Sequence, residues 1–136
     1  PIIHIRRHFS AEEIEPFYRL ADFCVVSSLH DGMNLVAKEY VASRDDERGV
    51  LLLSQFTGAA QELHEALIVN PYHIEQTADA LYRALTMPEY EQRERMRSLR
   101  ALVRDFNVYR WAGRMLLDAA RIRQREKFAA RIGRAQ

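Results

Sequence analysis

Residues 30–40 read HDGMNLVAKEY, and a short apolar run, FCVV, precedes them at residues 23–26. An apolar run followed by an acidic residue, a glycine and a helix-forming segment predicts a strand, a tight turn and the start of a helix. The first amides of such a helix have no intrahelical acceptor, and the helix dipole adds partial positive charge there. The sequence therefore predicts a place at this turn that suits an anion such as a diphosphate.

Two carboxylates, those of Asp31 and Glu39, lie on either side of this helix start. Carboxylates do not bind phosphate, but they accept hydrogen bonds from hydroxyl groups such as those of a sugar and a ribose. Phosphate-binding amides flanked by hydroxyl acceptors predict a nucleotide sugar as the ligand. Taken alone, Asp31 could instead be a turn residue before Gly32, and Glu39 a solvated helix residue.

The rest of the chain alternates short apolar runs with helical patterns, which is typical of an α/β fold with a parallel sheet. Strands are predicted at residues 2–5, 23–27, 49–54 and 66–69. Helices are predicted at residues 10–20, 33–42, 59–63, 74–86 and 89–105, and beyond a cap at Asn107. The predicted fold is half of a doubly wound α/β unit followed by C-terminal helices. Ligands of such folds bind at the carboxyl ends of the strands.

Local signals support several of these elements. Ser10 and Glu13 form a capping-box pattern at the start of a helix. Residues 49–54 (GVLLLS) are apolar almost throughout, as expected for a strand buried on both faces. In the helix at residues 89–105, one face carries Met96, Leu99, Leu102 and Val103.

Composition narrows the class of protein. The chain has 136 residues, about one domain, with 48% apolar and 29% charged residues, which indicates a soluble protein. No apolar run approaches the ~20 residues of a membrane span, and the first residues do not resemble a signal peptide. The single cysteine, Cys24, excludes an internal disulfide, fits a reducing compartment such as the cytoplasm, and is expected in the core. Since the chain opens without Met and in an apolar run, we expect it to be part of a larger protein.

Other kinds of site find little support. The five histidines show no metal-ligand spacing, so no metal and no cofactor are expected. Residues 107–136 hold eight Arg or Lys and two acidic residues, which could suggest nucleic acid. These residues do not form one stripe with interleaved aromatic residues, so a solvated helix is predicted instead. Neither nucleic acid nor a membrane is an expected partner, and the net charge of +1 favours no particular partner.

Three segments carry a resemblance to a known family: HDGMNLVAKEYV (residues 30–41), GVLLLSQFTGAAQEL (residues 49–63) and ALIVNPY (residues 66–72). Together they closely resemble the trehalose-6-phosphate synthases, retaining glycosyltransferases with two Rossmann domains (the GT-B type). The resemblance runs from about residue 2 to residue 109. It implies a Rossmann-like fold and the transfer of glucose from UDP-glucose to glucose 6-phosphate. The family usually has Arg where this chain has His30, which leaves the donor preference open.

The resemblance also implies roles for individual residues. The backbone of Phe9 would meet the uracil, Asp31 would be the catalytic residue that positions the donor glucose through its hydroxyls, and Glu39 would bind both ribose hydroxyls. Backbone amides would bind the rest of UDP-glucose: Gly32, Met33 and Asn34 beside the sugar, and Leu35 and Val36 at the diphosphate. Lys38 is left open between a ligand contact and a surface ion pair.

The second of these three segments, residues 49–63, leaves alternatives open as well. Ser54, Gln55 and Thr57 follow a predicted strand and could contact a ligand or only shape the loop. Residues 58–60 (GAA) are expected to be a closely packed helix start.

Much of the family's cleft would lie outside this chain. The resemblance places the N-terminal Rossmann domain, the cationic diphosphate clamp and nearly all of the glucose 6-phosphate site upstream. Residues 1–106 would be the nucleotide-sugar-binding portion, and residues 107–136 a crossover helix and basic tail whose apolar face, around Trp111, could favour a homo-oligomer. We expect the chain alone to bind UDP or UDP-glucose weakly and to transfer little. Glucosylglycerol-phosphate synthase and a non-catalytic nucleotide-sugar-binding module remain alternatives.

Overall fold

A computed structural model describes residues 2–106 and 108–132 of the chain. Contacts divide the chain into two compact units, one up to Val103 and one from Arg104 onward. The elements are α1 (Ala11–Leu20), β1 (Phe23–Val26), α2 (Leu35–Ser43), β2 (Val50–Ser54), a 3-10 helix (Gly58–Gln61), β3 (Leu67–Val69), α3 (Ile74–Thr86), α4 (Glu89–Asp105) and α5 (Val108–Ile132).

The three strands form a parallel sheet in the order β1-β2-β3. All five residues of the central strand β2 are buried, because successive side chains enter two different cores. Leu51 and Leu53 pack with residues of α2 and α4 on one face, whereas Val50 and Leu52 pack with residues of β3 and α3 on the other. Helices cover both faces of the sheet, and the predicted α/β class is confirmed.

The predicted strand at residues 2–5 is wrong. No secondary structure forms there, and the side chains of Ile2 and Ile3 are 99% and 80% exposed. A strand exists only where a neighbour takes up its backbone hydrogen bonds, and the described ladders join only β1, β2 and β3. An apolar run without such a neighbour has neither a ladder nor a face to bury.

Smaller differences concern element ends. The predicted helix at residues 59–63 is a 3-10 helix at Gly58–Gln61, the last strand begins at Leu67, and the helix predicted from residue 33 begins at Leu35. Cys24 is half-buried and packs against the core cluster. Asn107, the predicted cap, lies outside the described residues, as does the side chain of Trp111.

Other predictions from local pattern are confirmed. The capping box of α1 forms: the amide of Glu13 donates to Ser10 Oγ at 3.3 Å, and the amide of Ser10 donates to Glu13 Oε2 at 3.0 Å. On α4, Met96 and Leu99 are buried, and both Leu102 and Val103 are half-buried. None of the described helices combines the length and the apolar content needed to cross a bilayer.

Candidate functional site

The turn after β1 is organised by one carboxylate. Asp31 Oδ1 accepts hydrogen bonds from the amides of Met33 (3.1 Å) and Asn34 (2.8 Å), and Oδ2 accepts one from Asn34 Nδ2 (3.0 Å). This is an Asx-type turn, and it accompanies a left-handed backbone at Asn34, with φ 66°. Because a left-handed residue cannot continue a right-handed helix, α2 begins at Leu35.

The N-terminus of α2 offers unpaired amides. Asn34 caps the helix, and its side-chain oxygen accepts a hydrogen bond from the amide of Ala37 at 2.9 Å. For the amides of Leu35 and Val36, the structure shows no acceptor among the described residues. Both side chains are exposed, so this helix end is open to solvent. Two unpaired amides at the positive end of a helix dipole suit an anion.

The loop after β2 holds this turn from the side. The amide of Gly58 donates to the carbonyl of Asp31 (3.1 Å), and the amide of Ala59 donates to the carbonyl of Met33 (2.9 Å). A β-carbon on Gly58 would overlap the backbone of Gly32, so the two loops touch directly. Residues 58–60 are therefore closely packed, as predicted.

Two side chains of this loop shape it from within. Ser54 Oγ accepts a hydrogen bond from the amide of Phe56 at 3.2 Å, and Thr57 Oγ1 donates to the carbonyl of Ser54 at 2.9 Å. Both Ser54 and Thr57 are buried, whereas Gln55 is exposed. Of the two alternatives for Ser54 and Thr57, the structure shows the contacts that shape the loop.

Glu39 lies one helical turn beyond Leu35 on the same side of α2. Its Oε2 accepts a hydrogen bond from the hydroxyl of Tyr18 on α1 at 3.3 Å. Burial, together with the nearby negative charge of Glu39, raises the pKa of Tyr18 to about 12. Both side chains line an open cavity of about 280 Å³ between the two helices. Its other lining residues are Ala11, Ile14, Glu15, Arg19, Ala42 and Ser43.

Lys38 forms the ion pair that was one of its two predicted alternatives. Its ammonium group lies 2.6 Å from Glu62 Oε2, and the side chain is largely buried, with 18% exposed. Glu62 follows the 3-10 helix, so this pair is a second link between α2 and the segment after β2.

Phe9 packs against α1. Its ring lies edge-on to Phe17 of α1, with centroids 6.0 Å apart, and the guanidinium of Arg7 lies 4.3 Å from its centroid. Since residues 2–5 form no strand, Phe9 does not follow the carboxyl end of one. The contact of its backbone with uracil stays a prediction.

The arrangement supplies amides and hydroxyl acceptors. No group of three or more His, Cys, Asp or Glu placed to hold a metal ion occurs in the part of the chain that the structure describes. The carboxylate of Asp31 is largely occupied by the turn, whereas Glu39 has one oxygen without a described partner. The surface can therefore bind an anion beside hydroxyl groups.

Sequence reasoning missed two partners of the predicted residues. Tyr18, the partner of Glu39, is 21 residues away along the chain, and Glu62, the partner of Lys38, is 24 residues away. A tyrosine on an amphipathic helix and a glutamate after a loop carry no local signal of such contacts. Only the packing of α1 and of the 3-10 segment beside α2 brings these pairs together.

Several known proteins are similar to this chain. The family model for glycosyltransferase family 20 matches residues 1–121. The trehalose-6-phosphate synthase of Mycolicibacterium vanbaalenii is 50% identical over 120 residues, which is 88% of this chain and 24% of that protein. A synthase structure from Burkholderia xenovorans in complex with glucose-6-phosphate has 46% identity and a TM-score of 0.82, over 87% of this chain and 26% of that one. An E. coli structure bound with UDP-2-fluoro glucose has 44% identity and a TM-score of 0.78, over 82% and 25%. The chain thus spans about a quarter of the length of the relatives it matches.

Proposed function

Because the chain belongs to glycosyltransferase family 20, we propose that it is the donor-binding part of a trehalose-6-phosphate synthase. Such an enzyme transfers glucose from UDP-glucose to glucose 6-phosphate with retained anomeric configuration. The observation that carries the proposal is the open N-terminus of α2, where two amides lack a described acceptor. The similar structures with UDP-2-fluoro glucose and with glucose-6-phosphate support these substrates.

The chemical groups of UDP-glucose match the groups along α2 in one order. The diphosphate lies on the amides of Leu35 and Val36, because these are the unpaired donors at the positive helix end. The ribose lies one turn further along, where Glu39 accepts hydrogen bonds from its hydroxyls. The glucose lies beside the Asp31 turn, near the backbone of Gly32. In this order the ribose, the diphosphate and the glucose lie next to one another along α2, as they are bonded in the donor.

These groups act mainly on the leaving diphosphate. As the glycosidic bond breaks, UDP gains negative charge, and amides already fixed by the helix stabilise that charge without reorganising. Asp31 positions the glucose through a remaining lone pair of its carboxylate, while its other hydrogen bonds hold the turn rigid. Retaining glycosidases use two carboxylates and a covalent intermediate. In this proposal the acceptor attacks on the face from which UDP departs, and no protein nucleophile is needed.

The acceptor site belongs to the part of such enzymes that this chain does not cover. We therefore expect the chain to bind the donor weakly and to transfer little glucose by itself. A further Rossmann domain and its cationic residues would form the other wall of the cleft. The setting is the cytoplasm, where the thiol of Cys24 stays reduced.

The test is donor binding by this chain, measured by NMR chemical-shift titration with millimolar UDP-glucose, a method that detects weak complexes. Glu39→Ala is the main variant, because Glu39 is exposed and its removal leaves the core intact. Glu94→Ala on α4 is the matched control, since Glu94 is another exposed helical glutamate. Asp31→Asn removes the negative charge but keeps an oxygen that can accept the hydrogen bonds from the turn amides.

We expect UDP-glucose to shift the amide resonances of Leu35 and Val36. Glu39→Ala should weaken binding severalfold, and Glu94→Ala should not change it. Absence of any shift at the α2 N-terminus, or equal binding by wild type and Glu39→Ala, would contradict the proposal. The full-length parent protein should also be assayed for glucose transfer. If it binds the donor but transfers no glucose, that result would instead support a non-catalytic module.

A further inference from the structure

We propose that Tyr18 is a positioning residue for the ribose: its hydroxyl holds the Glu39 carboxylate in place to accept hydrogen bonds from both ribose hydroxyls. Tyr18 then contributes to the preference of the site for ribonucleotides over deoxyribonucleotides. This inference rests on the proposed function, in which Glu39 binds the ribose.

Tyr18 is itself firmly anchored. Its ring lies edge-on to the fully buried ring of Tyr40, with centroids 6.2 Å apart and an interplanar angle of 78°. Its backbone carbonyl accepts a hydrogen bond from Arg44 Nη1 at 3.1 Å. With both its ring and its backbone tied to the core, the hydroxyl of Tyr18 has a defined position.

Glu39 depends on that hydroxyl for its orientation. The side chain is exposed, and no ion pair of Glu39 occurs within residues 2–106 and 108–132. The other carboxylate that lines the cavity, Glu15, is held by Arg19 at 2.8 Å. A glutamate without a partner samples several rotamers and must lose that freedom when a ligand binds. The hydrogen bond from Tyr18 reduces this cost before the ribose arrives.

The contact also leaves room for the ligand. A carboxylate has about four acceptor positions on its two oxygens, and Tyr18 occupies one of them, on Oε2. Oε1 and the second position on Oε2 remain for two ribose hydroxyls. A nucleotide that lacks both hydroxyls gains nothing from the position of Glu39, which gives the proposal a discriminating test.

The test compares UDP with 2′,3′-dideoxyuridine diphosphate by NMR titration of the chain. Tyr18→Phe keeps the ring that packs on Tyr40 and removes only the hydroxyl. Tyr82→Phe, on α3 and 70% exposed, is the matched control. Tyr18→Phe should weaken UDP binding by about 3- to 10-fold, the effect of one hydrogen bond. It should leave the affinity for the dideoxy nucleotide unchanged, and Tyr82→Phe should alter neither affinity.

The outcomes separate this inference from the proposed function. If Glu39→Ala weakens UDP binding but Tyr18→Phe does not, the role of Tyr18 is wrong and the proposed function stands. If Tyr18→Phe weakens both nucleotides equally, its effect is structural and the inference is also overturned. If the chain does not bind millimolar UDP, or if Glu39→Ala binds it as well as wild type, both proposals fail.

Discussion

A β-carbon on Gly58 would overlap the carbonyl oxygen of Gly32, although the two residues belong to loops that follow different strands. Hydrogen bonds from the amides of Gly58 and Ala59 join the same two loops. The turn that presents the α2 amides therefore depends on a neighbouring loop as well as on its own residues. This close approach explains why glycine, the residue without a β-carbon, is needed at position 58.

Gly58→Ala should destabilise the chain and disturb the turn. The added methyl group meets backbone atoms that cannot rotate away, so the loops must separate, at a cost of about 1–3 kcal/mol. Gly32→Ala is the matched control, because nothing lies within 4 Å of a β-carbon at that position. Urea unfolding of both variants checks the prediction. Equal stability of Gly58→Ala and Gly32→Ala would show that the loops separate freely.

Substitutions at Asn34 should separate two contributions to stability: the side-chain cap of α2 and the left-handed backbone. Asn34→Ala loses the helix cap and places alanine, which has no polar side chain to hydrogen-bond locally as asparagine does, in the left-handed region. The two losses together should cost roughly 2 kcal/mol. Asn34→Gly loses the same side-chain hydrogen bonds, to Ala37 and to Asp31, but glycine tolerates the left-handed backbone, so this variant should cost less, about 1 kcal/mol. Free energies of unfolding in urea measure both. A Gly variant as unstable as the Ala variant would contradict the role assigned to the left-handed backbone.

Arg44 should be important for the packing of α1. Its side chain is 5% exposed, and its guanidinium donates to the carbonyls of Tyr18, Arg19 and Ala21 at the C-terminus of α1. Arg44→Met leaves these carbonyls without their donor and should cost roughly 2–4 kcal/mol.

The control for Arg44→Met is Arg48→Met, since Arg48 is half exposed and pairs with Glu89 at the surface. Surface ion pairs of this kind contribute little. Thermal and urea unfolding should therefore distinguish the two variants clearly, and similar stabilities would refute the capping role of Arg44.

The ionisation of Tyr18 should report its contact with Glu39. Burial is the larger cause of its raised pKa, about 12, and the negative charge of Glu39 is the next. Glu39→Gln should therefore lower the pKa of Tyr18 without restoring the ordinary value, whereas Glu15→Gln should leave it unchanged. NMR titration of the tyrosine Cζ resonances measures this pKa. A pKa that does not respond to Glu39→Gln would argue against the contact.

The Tyr18 hydroxyl makes the stability of the chain depend on pH in the alkaline range. The folded chain holds the proton of Tyr18 more tightly than the unfolded chain does. Its contribution to stability is therefore complete below pH 10, the ordinary pKa, and is lost as the pH rises through about 12. The free energy of unfolding should fall over this range, and Tyr18→Phe should reduce the fall.

The sequence by itself determined the features that depend on neighbours along the chain. The capping box of Ser10 and Glu13 joins residues three apart along the chain. The buried strand Val50–Ser54 is predicted by its run of apolar residues. The motif at residues 30–40 also predicted the helix start to within two residues, together with its unpaired amides, and the resemblance it carries agrees with the family match. Capping residues and hydrophobic periods that span only a few residues can be read directly from a short segment of sequence.

Only the tertiary structure decided which residues meet across the chain. It leaves residues 2–5 out of the sheet, since an apolar run becomes a strand only beside a partner. It sets Gly58 against Gly32, Glu62 against Lys38 and Tyr18 against Glu39. Each of these contacts joins residues more than twenty positions apart, and each depends on how helices and loops pack around the sheet. Spacing along the sequence carries no direct record of that packing, which is why the groups that hold the site in place became visible only in the folded chain.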